Sequence, residues 1–212
     1  MIGIGDRRSI QVRLEAGILQ FGLEGRPDGR RPEGFESWFD AWKDREESPS
    51  PGDREVLRIE VLLYHQRASA YLMLEEYASV IRDCDRNASA IAWVRGWARN
   101  ESEFLPFESI RFAVVLMRTR AEASLCLRAG DTHGAIGAID RGLANLQSGV
   151  GSTSANAGSV EGSILWAMRD SLVPKLPSSQ RVDLESRLAY AVRMENYALA
   201  AILRNELRQI GY

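Results

Sequence analysis

Histidine, cysteine and lysine are nearly missing from this chain, with two of each among 212 residues. Zinc and other thiolate or imidazole sites need several Cys and His at short spacing, which this composition cannot supply. Cys84 and Cys126 stand far apart with no CxxC, so they read as small core residues of a reducing compartment. His65 falls on the core-facing side of a helical stretch and His133 in a turn, with no GxSxG or HExxH around either. Long apolar runs are lacking as well. No stretch approaches the roughly 18–20 apolar residues that a membrane span requires. Residues 1–8 carry no apolar run after their charges, unlike a signal peptide. A cytoplasmic protein without membrane association is the expectation. An excess of one charge is also missing: 27 basic and 29 acidic residues leave a formal charge of −2. Such a chain exerts no global pull on nucleic acid or anionic lipid.

The chemistry-bearing patterns that do occur are weak. Gly149, Gly151 and Thr153 superficially suggest a phosphate loop but come without its Lys and flanking strand. Glu46–Glu47, Glu75–Glu76 and Asp83 with Asp85 read as solvated faces or turns. Trp38 with Trp42 and Trp93 with Trp97 are i,i+4 pairs, expected in core stripes rather than as base-stacking platforms. No catalytic residue, metal or cofactor is expected. All but Lys43 and Lys175 of the basic residues are Arg, interspersed with Asp and Glu, which reads as compositional bias more than phosphate recognition.

The chain contains 45% hydrophobic and 26% charged residues, ordinary values for a globular protein. Ile10, Leu14, Ile18 and Phe21 are spaced 4, 4 and 3, which predicts a helix over 9–24 capped by Ser9. Two prolines and several glycines in 25–34 make a connector, with Pro27, Asp28 and Gly29 as turn chemistry. Phe35 to Arg45 resumes helical spacing, and 48–53 is a second connector. Residues 54–99 are helical with a turn at Leu74–Tyr77, and Ile59, Leu62, Leu63, Tyr64, Ala68, Tyr71 and Leu72 form one apolar surface. Pro106 suits the first turn of a further helix ending near Arg128, and another runs to about Leu146. Small residues dominate 148–163, a flexible linker by composition. A short helix (164–172) and a two-helix hairpin, about 180–194 and 197–210, complete the chain. No strand of useful length is expected. The class is all-α: a body of repeat-like helical hairpins over 1–147, the linker, and a third segment over 164–212 with a C-terminal antiparallel hairpin.

Residues 64–88 resemble a tetratricopeptide repeat, with Ala68 where two helices touch, Tyr71 three later and Tyr77 at the turn. Val80 stands where a smaller residue is expected. A fainter copy places Ala123, Cys126, Gly130, Asp131, Ala135 and Ile139 in matching positions, offset by 55 residues rather than the family's 34. A helical bundle without repeat ancestry accounts for the pattern equally well.

The most specific pattern is residues 182–210. Leu184, Leu188, Ala191 and Val192 share one helical face, and Tyr197, Ala200, Leu203, Leu207 and Ile210 share another, across a turn at Met194–Asn196. So short a hairpin buries too little to fold stably by itself and must pack on the body, a second copy or a partner. Leu188, Ala191, Glu195, Tyr197, Ala200, Ala201, Leu203, Arg204 and Leu207 resemble the UvrB/UvrC motif. That module occurs in nucleotide-excision-repair proteins and in some Clp-type chaperone ATPases and their adaptors. Asn196 and Asn205 stand where the family usually carries acidic residues, so its charge pairing with a partner need not carry over. The resemblance implies protein–protein interaction through Leu188, Tyr197, Ala200, Leu203, Arg204 and Leu207, with a protein partner or in a homodimer.

Residues 22–37 also resemble a segment of bacterial proteins that carry this motif. Their glycines free backbone amides around Arg26, Arg30 and Arg31, which makes an anion or acidic-peptide site one reading. The other, which the interspersed Glu24, Asp28, Glu33 and Glu36 favour, is a rigid connector with internal ion pairs. A non-catalytic adaptor is therefore the leading expectation. The alternative is nucleic-acid association in DNA repair, which the balanced charge of the hairpin (five Arg against four acidic residues over 181–212) does not support. An enzyme whose site is assembled from scattered residues is the third.

Overall fold

The computed structural model describes residues 9–15, 17–148, 159–173 and 178–209, with side chains over 182–207 in the last segment. The chain begins with an antiparallel pair, β1 (Ser9–Leu14) and β2 (Gly17–Gly22). A 3-10 turn (Pro32–Gly34) and short α1 (Trp38–Trp42) follow, then α2 (Pro51–Met73), α3 (Tyr77–Trp97), α4 (Glu101–Arg128), α5 (Thr132–Gln147) and α6 (Val160–Leu172). A separate hairpin, α7 (Ser178–Arg193) and α8 (Tyr197–Gln209), ends the described chain. The class is mostly α.

The helix expected over 9–24 is instead the β-hairpin. Ile10 pairs with Phe21 and Val12 with Leu19, so these four share one face, while Gln11 opposite Gln20 donates to it at 3.3 Å on the other. Phe21 is buried, and Leu14 and Ile18 at the tip are exposed. A stripe at 10, 14, 18 and 21 fits a helix, but the alternation at 10/12 and 19/21 fits a sheet, and the strand pairing with Leu14 and Ile18 left exposed decides for the sheet. The helix expected over Phe35–Arg45 shortens to α1, capped by Ser37, whose Oγ accepts from Asp40 N at 3.1 Å.

Helix boundaries elsewhere follow local codes. Ser50 and Asp53 form a reciprocal capping box, with Pro51 in the first turn of α2. Asn100 Oδ1 accepts from Glu103 N at 3.1 Å, so α4 starts before Pro106, which lies inside the helix rather than in its first turn. Phe104 and Phe107, both buried in the core, flank that proline, which itself faces solvent. Ile59, expected on the apolar surface of α2, is exposed.

One hydrophobic cluster joins α1 to α4 through Trp42, Leu57, Val61, Ala68, Tyr71, Val80, Phe107 and Val114. A second joins α4, α5 and α6 through Ala123, Ala138, Ile139, Leu146 and Leu165. So α6 packs with the body, and Arg169 Nε reaches Asp140 Oδ1 at 2.6 Å across α5 and α6. Most of the segment read as a linker, residues 149–158, lies outside the described residues. The third cluster, Leu184, Leu188, Ala191, Ala200, Leu203 and Leu207, consists of hairpin residues alone.

Candidate functional site

The connector over 22–31 does not gather its arginines at one spot. Arg26 is buried, with Nε 3.1 Å from Asp28 Oδ1 and Nη1 3.6 Å from Glu60 Oε2. The Arg30 side chain points outward at 82% exposure, 3.8 Å from Asp28, and Arg31 is exposed. What converges on the body is the loop's carbonyl groups. Arg67 Nη1 donates to Gly22 O at 2.7 Å and Gly25 O at 2.9 Å; Tyr71 Oη donates to Leu23 O at 3.0 Å, joined by Arg82 at 3.3 Å.

Beneath the loop lies a buried ionic network that sequence reasoning missed. Arg67 clamps Asp83 with both ends of its guanidinium, Nε to Oδ2 at 2.7 Å and Nη2 to Oδ1 at 2.9 Å. Glu60, fully buried, accepts from Trp38 N at 2.9 Å and Phe39 N at 3.2 Å and pairs with Arg86. The Tyr64 ring stacks under Arg86 at 3.9 Å and Arg67 at 4.9 Å. Burial pushes the Tyr64 phenol up to about 12, against the pull of the two guanidiniums. A signal for the network was present: Glu60 and Arg67 sit at core-facing positions among Leu57, Val61, Tyr64, Ala68 and Tyr71, where a charge must find a partner. Each carboxylate is matched by a guanidinium, so the network is a clamp that fastens the loop and α1 to α2 and α3. Among the described residues no group of three His, Cys, Asp or Glu could hold a metal ion, and no helix is long and apolar enough to cross a membrane.

No family model, curated protein or solved structure matches the chain. Its own internal regularity is therefore the available comparison. Three helix pairs share one turn. Glu75, Gly130 and Glu195 all take positive φ, at 58°, 74° and 53°. In each, the following amide returns to the carbonyl five residues back: Glu76 N to Tyr71 O, Asp131 N to Cys126 O, and Asn196 N to Ala191 O. Each positive-φ amide returns three residues, to Leu72, Leu127 and Val192. This is the Schellman ending, three times over. Positions 68 and 80, 123 and 135, and 188 and 200 share the hydrophobic cluster of their pair, and burial recurs at 64, 119 and 184.

In that frame Leu188, Ala200, Leu203 and Leu207 are the hairpin's internal seam. Ala200, Leu203 and Leu207 are buried between α7 and α8 and present nothing to a partner. Tyr197 is 68% exposed and Arg204 is exposed. The open apolar surface comes from residues the periodicity argument passed over: Tyr190, Met194, Leu199 and Ile202 are all exposed. In an antiparallel pair these four fall on one flank and Tyr197 with Val192 on the other.

Proposed function

We propose that the chain is a non-catalytic interaction protein of the cytoplasm: a repeat-like helical body carrying a UvrB/UvrC-like hairpin that docks other proteins. The observation that carries this reading is the hairpin's packing. It closes its own small cluster without residues of the body, and large apolar side chains remain exposed on its flanks. Thirty residues stabilised by so little burial gain from covering that surface. The body's carboxylates Glu60 and Asp83 are taken up in ion pairs with Arg86 and Arg67, a structural use that fits a binding scaffold.

The test compares the full-length wild type with Leu199→Glu/Ile202→Glu in affinity capture from lysate, with circular dichroism to verify helicity. Leu203 and Leu207 are unsuitable targets because their loss would open the hairpin itself. Proteins retained by the wild type and lost by the folded variant are the expected result. Identical retained sets would sink the docking role of this flank.

A further inference from the structure

The joint between the first two helix pairs is built from an arginine, a glutamate and a tyrosine at fixed repeat positions. Arg128, at the end of α4, stacks over the Tyr77 ring at 4.5 Å, donates to Glu75 O at 3.2 Å and pairs with the Glu75 carboxylate. Further along, Arg118 Nε meets Asp85 Oδ1 at 2.6 Å, and Met117 and Ala121 of α4 are buried in the body core. The shared turn puts the third pair in the same register. Arg128 corresponds to Arg193, Glu75 to Glu195 and Tyr77 to Tyr197, with residue type kept at all three positions. Arg118 and Asp85 correspond to Asp183 and Asn205, still a hydrogen-bonding couple, and Met117 to Val182. In the hairpin Arg193, Glu195, Val182 and Tyr197 are exposed, and Arg193 has only a distant ring beneath it, that of Tyr190 at 5.9 Å, against 4.5 Å for Arg128 over Tyr77. Arg193 cannot reach Tyr197 of its own hairpin in this way, because the joint links the first helix of one pair to the second helix of the pair before it. Acceptor faces within the body are taken, α3 by α4 and α5 by α6.

We infer that the hairpin stacks head to tail on the hairpin of a second copy of this chain, Arg193 of one covering Tyr197 and pairing with Glu195 of the next. The inference rests on the hairpin being a docking module and names its partner. A heterologous joint of this kind leaves one donor and one acceptor face open at the ends, so assembly continues past the dimer.

Sedimentation equilibrium of the full chain from micromolar to millimolar concentration tests it. The expected weight-average mass rises with concentration and passes the dimer. Arg193→Glu alone and Glu195→Arg alone each place like charges at the joint and weaken association by about tenfold or more. Mixing the two variants, or combining them in one chain, restores it, because opposite charges then meet again. Circular dichroism confirms that each variant keeps its helices. A monomer at every concentration, or single variants that associate like the wild type, overturns the inference. Should the chain stay monomeric while Leu199→Glu/Ile202→Glu still loses captured proteins, the docking role stands and only the self-stacking falls.

Discussion

Replacing Arg67 by methionine removes the centre of the clamp under the N-terminal loop. Arg67 and Asp83 are each 1% exposed and joined by two hydrogen bonds, so the substitution strands a buried carboxylate. Breaking a buried pair from one side costs about 3–5 kcal/mol. Arg82, half exposed and 3.1 Å from Asp83 Oδ1, offsets part of that. The carbonyls of Gly22 and Gly25 lose their shared donor, but the loop can lift and hydrate them, which limits the penalty. The expected net loss is about 3 kcal/mol, or about 6–12 °C in Tm for a chain of this size. Urea unfolding followed by circular dichroism measures it, and faster tryptic cleavage between Arg30 and Arg31 reports the lifted loop. The double variant Arg67→Met/Asp83→Leu leaves no unpaired charge and should recover much of the loss. A single-variant loss under about 1 kcal/mol would refute the account. A double variant no better than the single would show that the loop carbonyls, not the stranded carboxylate, dominate.

Gly142 lies where α5 crosses α4, and a Cβ there would meet Thr119 Cγ2 at 2.7 Å and Cβ at 3.0 Å. Gly142→Ala should therefore destabilise by about 1 kcal/mol despite better helix propensity, and adding Thr119→Ala should reverse the sign, as read from urea midpoints. Burial holds the His65 imidazole below its ordinary value, and its Nδ1 has no hydrogen-bond partner. The unfolded chain then takes up the proton first as pH falls. Stability is full above the ordinary histidine range and declines below it, a dependence that His65→Gln should remove from urea midpoints measured between pH 8 and 5. Burial pushes the Cys84 thiol up to about 12, with Asp83 and Asp85 adding to the effect. Iodoacetamide at pH 8 should spare Cys84 in the folded protein and modify the partly buried Cys126, whereas both react in urea, as peptide mass mapping would show.

The helices that were legible in the sequence carry their boundaries in a few neighbouring residues. Ser50 with Asp53 starts α2, Asp131 caps α5 by accepting from Gly134 N at 2.7 Å, and the turn at Met194–Asn196 separates α7 from α8. Ala68 and Ala123 were readable as small residues at the helix contacts of the first two pairs, and both are fully buried. That the last hairpin shares its turn with those two pairs was hidden, since Glu195 occupies a positive-φ position where glycine would have announced it.

Sequence alone determined the mostly helical class and the placement of α2 to α8, because capping and periodicity act over a few residues. Tertiary structure decided the rest. The stripe at Ile10, Leu14, Ile18 and Phe21 is ambiguous until the strands pair and leave Leu14 and Ile18 exposed. Glu60 and Arg67 fall at core-facing positions of the sequence, but their partners Asp83 and Arg86 look like surface charges until two helices and a loop bring the four together. Leu203 and Leu207 look like a docking stripe until α7 packs against them. In each case the deciding partner lies on the paired strand, tens of residues away or across a helix pair, and no local pattern records which face it covers.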